Sequence, residues 1–267
     1  MSELLRLERE GAGGTVARVT LARPEVRNAF NAQLIAELTS TFHDLAEERP
    51  EALRAVVLAG EGESFCAGAD VTWMRASLKL TVAQNEADAA RLAEMLEAMD
   101  TCPVPVIARV QGAALGGGMG LCAVADIVLA TAGTIFGFTE TQLGILPAVI
   151  SPFVLARIGE GHARALFPTG ERFSAERAQQ IGLVHEVLPD LPALDARLDE
   201  IVDGIRNAGP TAVRGAKAIV RDQRGLDPEA RRQLTVQAIA RQRTSAEGQE
   251  GLTAFLDKRP PDWRARS

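Results

Sequence analysis

The segment IARVQGAALGGGMGL, from Ile107 to Leu121, passes from an apolar run into three consecutive glycines and then back into an apolar pattern. This order predicts a buried strand, a tight turn and a helix. Gly116, Gly117 and Gly118 have no β-carbon, so the backbone can approach another group closely, and free amides at a helix start point outward. Such amides suit an anion or a developing oxyanion. The alternative is a glycine-lined packing contact or a plain turn.

The composition is typical of a soluble globular protein. The chain has 267 residues, of which 46% are hydrophobic and 24% charged, which suffices for one large domain or for a domain with an appendage. The net charge is -6 and no basic stripe dominates, which argues against nucleic-acid binding. The aromatic fraction of 4% also weakens any proposal of base stacking.

The cysteines and the N-terminal residues indicate in which cellular compartment the protein is found. Cys66, Cys102 and Cys122 lack metal-ligand spacing, and an odd count gives no disulfide framework. A reducing environment suits such thiols. The N-terminal residues lack the charged-then-apolar order of a signal peptide, and no apolar run reaches membrane-spanning length. We therefore expect a cytoplasmic protein with no membrane partner.

The first half of the chain alternates predicted strands and helices. Apolar spacing predicts a helix after Asn31, a suitable N-cap, and another after Thr81, which has capping-box spacing with Gln84. Strands are predicted from apolar or β-branched runs at Thr15 to Leu21, Arg54 to Gly60, Val104 to Val110, Ala125 to Thr131 and Thr134 to Phe138.

The second half is predominantly helical. Helices are predicted between Pro147 and Pro152, near Ala163 to Leu166 and after Ser174, and a last strand at Ile181 to Val187. Four more helices follow at Leu194 to Ile205, Val213 to Arg221, Glu229 to Ala240 and Glu247 to Leu256. The pattern predicts an α/β core over residues 1–190 and a helical extension over 191–267. Extensions of this kind often cover a partner subunit.

A second small-residue loop, Ala67-Gly68-Ala69-Asp70, follows a predicted strand as the triple glycine does. Two such loops can direct a pair of backbone amides at one acceptor atom, which is the geometry of an oxyanion hole. Glu140 lies between a predicted strand and a glycine-proline corner, where a carboxylate is either functional or simply exposed or capping.

Longer segments resemble the enoyl-CoA hydratase/isomerase family, the crotonase superfamily. They are SFCAGADVTWM (Ser64 to Met74), QGAALGGGMGLCAVADIVLAT (Gln111 to Thr131), FGFTETQLGILPAVISPFVL (Phe136 to Leu155) and GLVHEVLP (Gly182 to Pro189). With RPEVRNAFN near the start and AFLDKRPPDW near the end, the resemblance covers nearly the whole chain. It implies a spiral of ββα units followed by helices, an acyl-CoA thioester substrate, and a homotrimer or dimer of trimers. No metal or redox cofactor is implied.

The resemblance also implies roles for individual residues. The amides of Ala69 and Gly117 would bind the thioester carbonyl oxygen, and Glu140 would move protons. Substrate contacts are implied at Arg27, Ala67, Asp70, Val71, Thr72, Trp73, Gly116, Gly118, Gly120, Leu143, Leu146, Pro147 and Lys258. Within this set, Asp70 to Thr72 would meet the pantetheine or adenine end, the two basic residues would meet CoA phosphates, and the leucines and Pro147 would shape the acyl site. Solvation of the basic residues and core packing of Trp73 are the alternatives.

Gly120 departs from the family pattern. Family hydratases usually carry a second glutamate at this position, three residues after the middle glycine of the motif, and hydration needs both a base for water and an acid for the α-carbon. A lone Glu140 suits the migration of a double bond without further assumptions. The same carboxylate could also serve hydration, if it takes a proton from water and a proton it holds ends on the α-carbon. The resemblance to methylglutaconyl-CoA hydratases, which also accept glycine at this position, keeps hydration open.

Several activities therefore remain open. ADVTWM and ILPAVISPFVL are most similar to bacterial 3-methylglutaconyl-CoA hydratases of leucine breakdown. The leading interpretation is accordingly an enoyl-CoA hydratase of that type, and a 3,2-enoyl-CoA isomerase with Glu140 as sole base is the runner-up. A non-catalytic CoA-thioester or RNA binder is the alternative from another class, although the acidic balance opposes RNA binding.

Overall fold

The computed structural model describes residues 3–264, which contain nine strands and ten α-helices. The strands are β1 (Leu5–Glu10), β2 (Val16–Leu21), β3 (Ala55–Gly60), β4 (Val106–Val110), β5 (Ala113–Leu115), β6 (Ile127–Thr131), β7 (Ile135–Gly137), β8 (Arg172–Ser174) and β9 (Glu186–Leu188). The helices are α1 (Ala32–Ala46), α2 (Val71–Ser77), α3 (Val82–Asp100), α4 (Gly117–Val124), α5 (Ser151–Thr169), α6 (Ala175–Gln180), α7 (Leu191–Asn207), α8 (Pro210–Asp222), α9 (Pro228–Thr244) and α10 (Ala246–Leu256).

Six strands form the main sheet in the order β1-β2-β3-β4-β6-β9. Every pair from β2 to β9 is parallel, and β1 adds an antiparallel edge. Strand β3 is buried at all six positions because helices cover both faces of a parallel sheet, so its apolar run has no polar alternation.

A smaller sheet, β5-β7-β8, stands beside the main one. Strand β5 follows β4 after a short turn at Gln111 and Gly112, and it pairs in parallel with β7. The predicted order of strand, turn and helix around the triple glycine therefore gains a short extra strand. This strand brings the start of α4 beside the end of β7.

Helices enclose the sheet from both sides. Helix α1 begins at the predicted N-cap, where the Asn31 side chain accepts a hydrogen bond from the Leu34 amide, and α1 packs against α3. Helix α3 begins with the predicted capping box of Thr81 and Gln84. On the other face, Leu194 and Leu198 of α7 join a buried cluster with residues of β2, β3, β4 and β6.

The predicted α/β class is confirmed, with α8, α9 and α10 following the sheet-containing part of the chain. The five strands predicted in the first half are present, each shorter by one or two residues at one or both ends. The predicted boundary between residues 190 and 191 stays a prediction, and α7 lies against the main sheet. Within residues 3–264, the helices are too short or too polar for any of them to cross a membrane.

Four differences from the predicted elements have local causes. The strand predicted at Ile181 to Val187 begins only at Glu186, because Gly182 has a φ of 81° and turns the chain before it. The helix predicted near Ala163 to Leu166 is part of a longer helix, α5, which begins at Ser151 and is interrupted at Gly159 with a φ of 76°. The short helix predicted between Pro147 and Pro152 is not formed, since residues 148–150 make a turn before α5. Strands β1, β5 and β8 and helix α2 were not predicted, since most of them are too short to show a period.

Candidate active site

The first small-residue loop is held by backbone hydrogen bonds to the segment before α1. The Phe30 amide donates to Gly68 O, and the Phe30 carbonyl accepts from the Asp70 amide. In this parallel pairing, the amide of the intervening Ala69 points away from Phe30. Gly68 has a φ of 95°, a conformation that glycine adopts without strain.

The second loop ends in the first turn of α4. Gly116 has a φ of 50° and a ψ of -116°, and its amide donates to Gly137 O, which fixes the loop to β7. Gly117 is the first residue of the helix, so its amide has no acceptor within the helix. A β-carbon on Gly117 would lie 2.6 Å from Cε2 of Phe30, which shows how closely the backbone approaches that ring.

The two loops are in contact. A β-carbon built on Gly68 would lie 3.6 Å from the Gly117 nitrogen and 3.0 Å from the Leu115 oxygen. Ala69 and Gly117 therefore face the same space, as the sequence pattern predicted, and both line one cavity of about 360 Å³. Two outward-pointing amides beside a cavity are suited to binding a single oxygen atom.

Glu140 enters this cavity from a 3-10 helix, Thr139–Leu143, that directly follows β7. Its Oε1 atom lies 3.5 Å from the position that a β-carbon of Gly116 would take. Among the described residues, its buried Oε2 atom has no hydrogen-bond partner. Burial raises the pKa of the Glu140 carboxyl, with a weaker opposing contribution from a backbone hydrogen bond. This carboxyl is placed to take up and release a proton beside the two amides.

The rest of the cavity wall is mostly apolar, as an acyl-binding site requires. Six of the residues implied as substrate contacts line it, namely Ala67, Trp73, Gly116, Leu143, Leu146 and Pro147. Twelve further residues line the cavity that were not predicted as site residues: Phe30, Gly68, Ser77, Asn85, Asp88, Ala89, Leu92, Thr139, Ile145, Ala148, Val149 and Ile150. A signal existed for two of them, because Ala89 and Leu92 continue the helical period of α3 but are not fully buried. Both face the cavity.

Seven of the residues implied as substrate contacts lie outside this cavity lining, namely Arg27, Asp70, Val71, Thr72, Gly118, Gly120 and Lys258. Arg27 and Lys258 are exposed and have positive φ angles of 52° and 55°. The backbone oxygen of Arg27 accepts from the Ala67 amide, so this residue holds the first loop through its main chain. Contacts from these seven residues to a bound coenzyme stay predictions.

Asp70 has a structural role in addition to any contact with substrate. One carboxylate oxygen accepts from the amides of Thr72 and Trp73 and caps α2, and the other accepts from the Arg23 guanidinium at 2.7 Å. Burial opposes its ionisation, but the hydrogen bonds from Arg23 and the two amides outweigh burial and lower the pKa of Asp70. The carboxylate is thus engaged in holding the loop that precedes α2.

Gly118 and Gly120 are closely packed. A β-carbon on Gly118 would lie 2.5 Å from the Cys66 oxygen, and one on Gly120 would lie 2.6 Å from Cγ2 of Ile150. The place where family hydratases usually carry a second glutamate is therefore filled by Ile150, with Leu96 close behind it. Within residues 3–264, no group of three His, Cys, Asp or Glu side chains is arranged to hold a metal ion.

Comparisons with known proteins agree with this geometry. The family model described as enoyl-CoA hydratase/isomerase matches residues 11–266. A crystal structure of an enoyl-CoA hydratase from Shewanella pealeana is 36% identical, with a TM-score of 0.91 over 97% of this chain and 96% of that one. Pseudomonas aeruginosa AtuE is 37% identical, with a TM-score of 0.93 over 98% and 99% of the two chains. An enoyl-CoA hydratase from Mycobacterium smegmatis is 34% identical, with a TM-score of 0.91 over 98% and 100%.

Proposed function

Since the chain belongs to the enoyl-CoA hydratase/isomerase family, we propose that it adds water across the 2,3 double bond of an enoyl-CoA thioester. The observation that carries this proposal is the arrangement of Ala69, Gly117 and Glu140 around one mostly apolar cavity. Relatives with the same fold that are named enoyl-CoA hydratases support the same reaction.

The two backbone amides stabilise negative charge on the substrate. In the proposed reaction the thioester carbonyl oxygen accepts from the amides of Ala69 and Gly117, and its charge grows as water attacks C3 and an enolate forms. Removal of one such donor typically slows catalysis about 100- to 1000-fold. Because the donors belong to the main chain, substitution of the Ala69 side chain alone leaves its donor in place.

Glu140 manages both protons. Its carboxylate takes a proton from water as the water oxygen bonds to C3, and the electron pair of the double bond passes to the thioester oxygen. A proton is then delivered from the carboxyl to C2, which restores the thioester carbonyl. Burial raises the pKa of this carboxyl, which makes its carboxylate a stronger base toward water.

The packing of Ile150 against Gly120 favours a second candidate, 3,2-enoyl-CoA isomerisation. In that reaction Glu140 removes a proton from C2 of a 3-enoyl thioester and returns it at C4, while the same amides hold the dienolate oxygen. One base is sufficient for this transfer, and Ile150 leaves no room for the side chain of a second one at position 120.

The resemblance of ADVTWM and ILPAVISPFVL extends the proposal to hydration of 3-methylglutaconyl-CoA in leucine breakdown. That acyl group carries a free carboxylate at the end opposite the thioester. The cavity lining within residues 3–264 contains Glu140 and Asp88 but no lysine or arginine to pair with it. The lining therefore opposes this finer assignment, and the methylglutaconyl thioester is a substrate to test beside simpler ones.

A homotrimer, alone or paired into a hexamer, and a cytoplasmic location complete the proposal. Phe255 and Leu256 of α10 are 80% and 76% exposed, and association of subunits would bury such side chains. Light scattering on the purified protein measures this directly, and a monomer at micromolar concentration would contradict the trimer.

The reaction is tested with three thioesters: crotonyl-CoA, 3-methylglutaconyl-CoA and a 3-enoyl-CoA. Hydration of crotonyl-CoA supports the leading proposal. Turnover of the 3-enoyl thioester alone would replace it with the isomerase. Tight binding without turnover of any of the three would support a CoA-thioester binder instead.

A further inference from the structure

The cavity has a polar end on helix α3. Residues Leu92, Ala89, Asp88 and Asn85 line the cavity, in order toward the start of the helix, while Leu96 lies beside Gly120. At a rise of about 1.5 Å per residue, Asp88 lies about 12 Å along the helix axis from Leu96. Asp88 is therefore far from the turn of α4 that carries Gly120, and it forms a charged part of the cavity wall.

Asp88 is a half-buried carboxylate held in place by two donors. Its Oδ2 atom accepts from the Trp73 indole nitrogen at 3.2 Å, and its Oδ1 atom accepts from Arg91 at 2.6 Å. The Asp88 side chain is 19% exposed. The bond to Trp73 ties α2 to α3 across the cavity and leaves lone pairs of both carboxylate oxygens available.

Arg91 does not convert this end of the cavity into a site for anions. Its side chain is 59% exposed and lies outside the cavity lining, and its interaction with Asp88 spans one turn of the same helix. Ion pairs of this kind in contact with water are weak and are screened by salt. The charge that faces the cavity is that of Asp88.

From these contacts we propose that the protein selects acyl groups that are uncharged at their far end and rejects acyl groups with a distal carboxylate, and that Asp88 is the residue that discriminates. The inference rests on the proposed function, since it takes an acyl-CoA to occupy the cavity with the far end of its acyl group toward Asp88. A distal carboxylate would approach the Asp88 side chain, which is 19% exposed, and like charges at a partly buried site repel more strongly than in bulk water. A terminal methyl group meets no such penalty, and Asp88 can accept a hydrogen bond from a hydroxyl.

Binding of saturated thioesters tests the inference without any turnover. The matched pair is octanoyl-CoA and the mono-CoA thioester of octanedioic acid, which share chain length and differ at the terminal group. Calorimetric Kd values for the wild-type protein should differ by about 100-fold in favour of octanoyl-CoA, because juxtaposed like charges disfavour the wrong ligand strongly. Asp88→Asn should reduce this ratio at least tenfold, while Asp88→Glu, which keeps the charge, should retain it.

Arg91→Gln provides a control with a defined sign. Removing the partially neutralising guanidinium leaves the field of Asp88 stronger, so the ratio should stay the same or widen. A ratio that collapses in this variant would place the discrimination on Arg91 and overturn the assignment to Asp88. Circular dichroism of each variant verifies that the fold is retained.

The outcomes separate the inference from the proposed function. Equal binding of the two thioesters by the wild-type protein would overturn the inference whether or not enoyl-CoA is hydrated, and that measurement needs no variant. An unchanged ratio in folded Asp88→Asn would overturn the role of Asp88. Discrimination in binding with no hydration of any 2-enoyl thioester would support the inference and contradict the hydratase. Failure of octanoyl-CoA itself to bind would overturn the inference, while hydration of crotonyl-CoA would still decide the proposed function separately.

Discussion

Gly120 and Ile150 are packed so closely that a β-carbon on the glycine would lie 2.6 Å from Cγ2 of the isoleucine. Ile150 is 3% exposed, and Cγ2 is attached to its rigid, branched β-carbon, so it has little freedom to move aside. On α3, the Cδ2 atom of Leu96 would lie 3.4 Å from the same β-carbon. Any side chain at position 120 therefore requires a smaller residue at position 150.

Gly120→Ala should destabilise the protein through this contact. Overpacking a core typically costs about 1–3 kcal/mol, which the higher helix propensity of alanine offsets by at most about 1 kcal/mol. The double variant Gly120→Ala/Ile150→Ala should lose less stability than the sum of the losses in the two single variants, because the two small side chains fit beside each other. Urea denaturation of the four proteins gives the coupling free energy. Strict additivity would show that the two residues do not share this space.

Gly117→Ala should impair catalysis more than stability. The new β-carbon would lie 2.6 Å from the ring of Phe30, which is 1% exposed, so the first turn of α4 must shift and its amide must move. We expect kcat to fall about 100-fold, as for the loss of one oxyanion donor. Gly133→Ala is the matched control, since nothing lies within 4 Å of its added β-carbon. If both variants were equally active, the Gly117 amide would not be an oxyanion donor.

Asp70→Asn should destabilise the loop that carries Ala69. The side chains of Arg23 and Asp70 are 11% and 9% exposed, and removing one charge of a buried pair typically costs about 3–5 kcal/mol. Glu200→Gln is the control, because Glu200 is 68% exposed and should contribute under about 1 kcal/mol to its pair with Arg197. Denaturant titration of both variants measures the difference, and equal losses would mean that the Asp70 pair is not structural.

The same pair predicts a dependence of stability on pH. The pKa of Asp70 is lower in the folded protein than its ordinary value of 3.8, so its contribution to stability is complete above about pH 3.8. That contribution is lost as the pH falls further, through the folded pKa. Asp70→Asn should therefore flatten the acid side of the stability profile. If the stability of Asp70→Asn falls with decreasing pH as steeply as that of the wild type, groups other than Asp70 cause the loss of stability in acid.

Trp73 should report ligand binding. It lines the cavity, whereas Trp263, the other tryptophan, donates its indole hydrogen to Asn207 O elsewhere in the fold. In Trp263→Phe the remaining fluorescence should change on addition of an acyl-CoA, and in Trp73→Phe it should not. A ligand-dependent signal confined to Trp263 would place the binding site elsewhere.

Local patterns predicted much of the fold. The buried run of β3 and the capping box of Thr81 and Gln84 were read correctly because each signal lies within a few residues. Strand β5 has three residues and no room for a period, and α2 depends on Asp70 as its cap. Helix α2 was missed because its seven residues show no apolar stripe.

The site was predicted where motifs carry it and missed where packing creates it. Ala69, Gly117 and Glu140 lie in recognisable segments, and the structure brings them to one cavity. That Ile150 fills the space beside Gly120, 30 positions away in the sequence, follows only from tertiary packing. Asp88 gave no signal, because an acidic residue on an amphipathic helix ordinarily faces solvent.

Two measurements on Glu140 test whether its carboxyl moves the protons. Burial raises the pKa of Glu140 above its ordinary 4.5, and the base acts in its ionised form, so kcat/KM should decline as the pH falls through that raised value. This acid limb should be absent from whatever activity Glu140→Gln retains.

The decisive measurement is kcat/KM of Glu140→Gln with the best of the three enoyl thioesters, beside the exposed control Glu171→Gln. We expect a loss of about 100- to 10,000-fold for Glu140→Gln, with an unchanged fold by circular dichroism, and near wild-type activity for Glu171→Gln. Activity of Glu140→Gln within tenfold of the wild type would show that Glu140 does not move the protons, in hydration or in isomerisation.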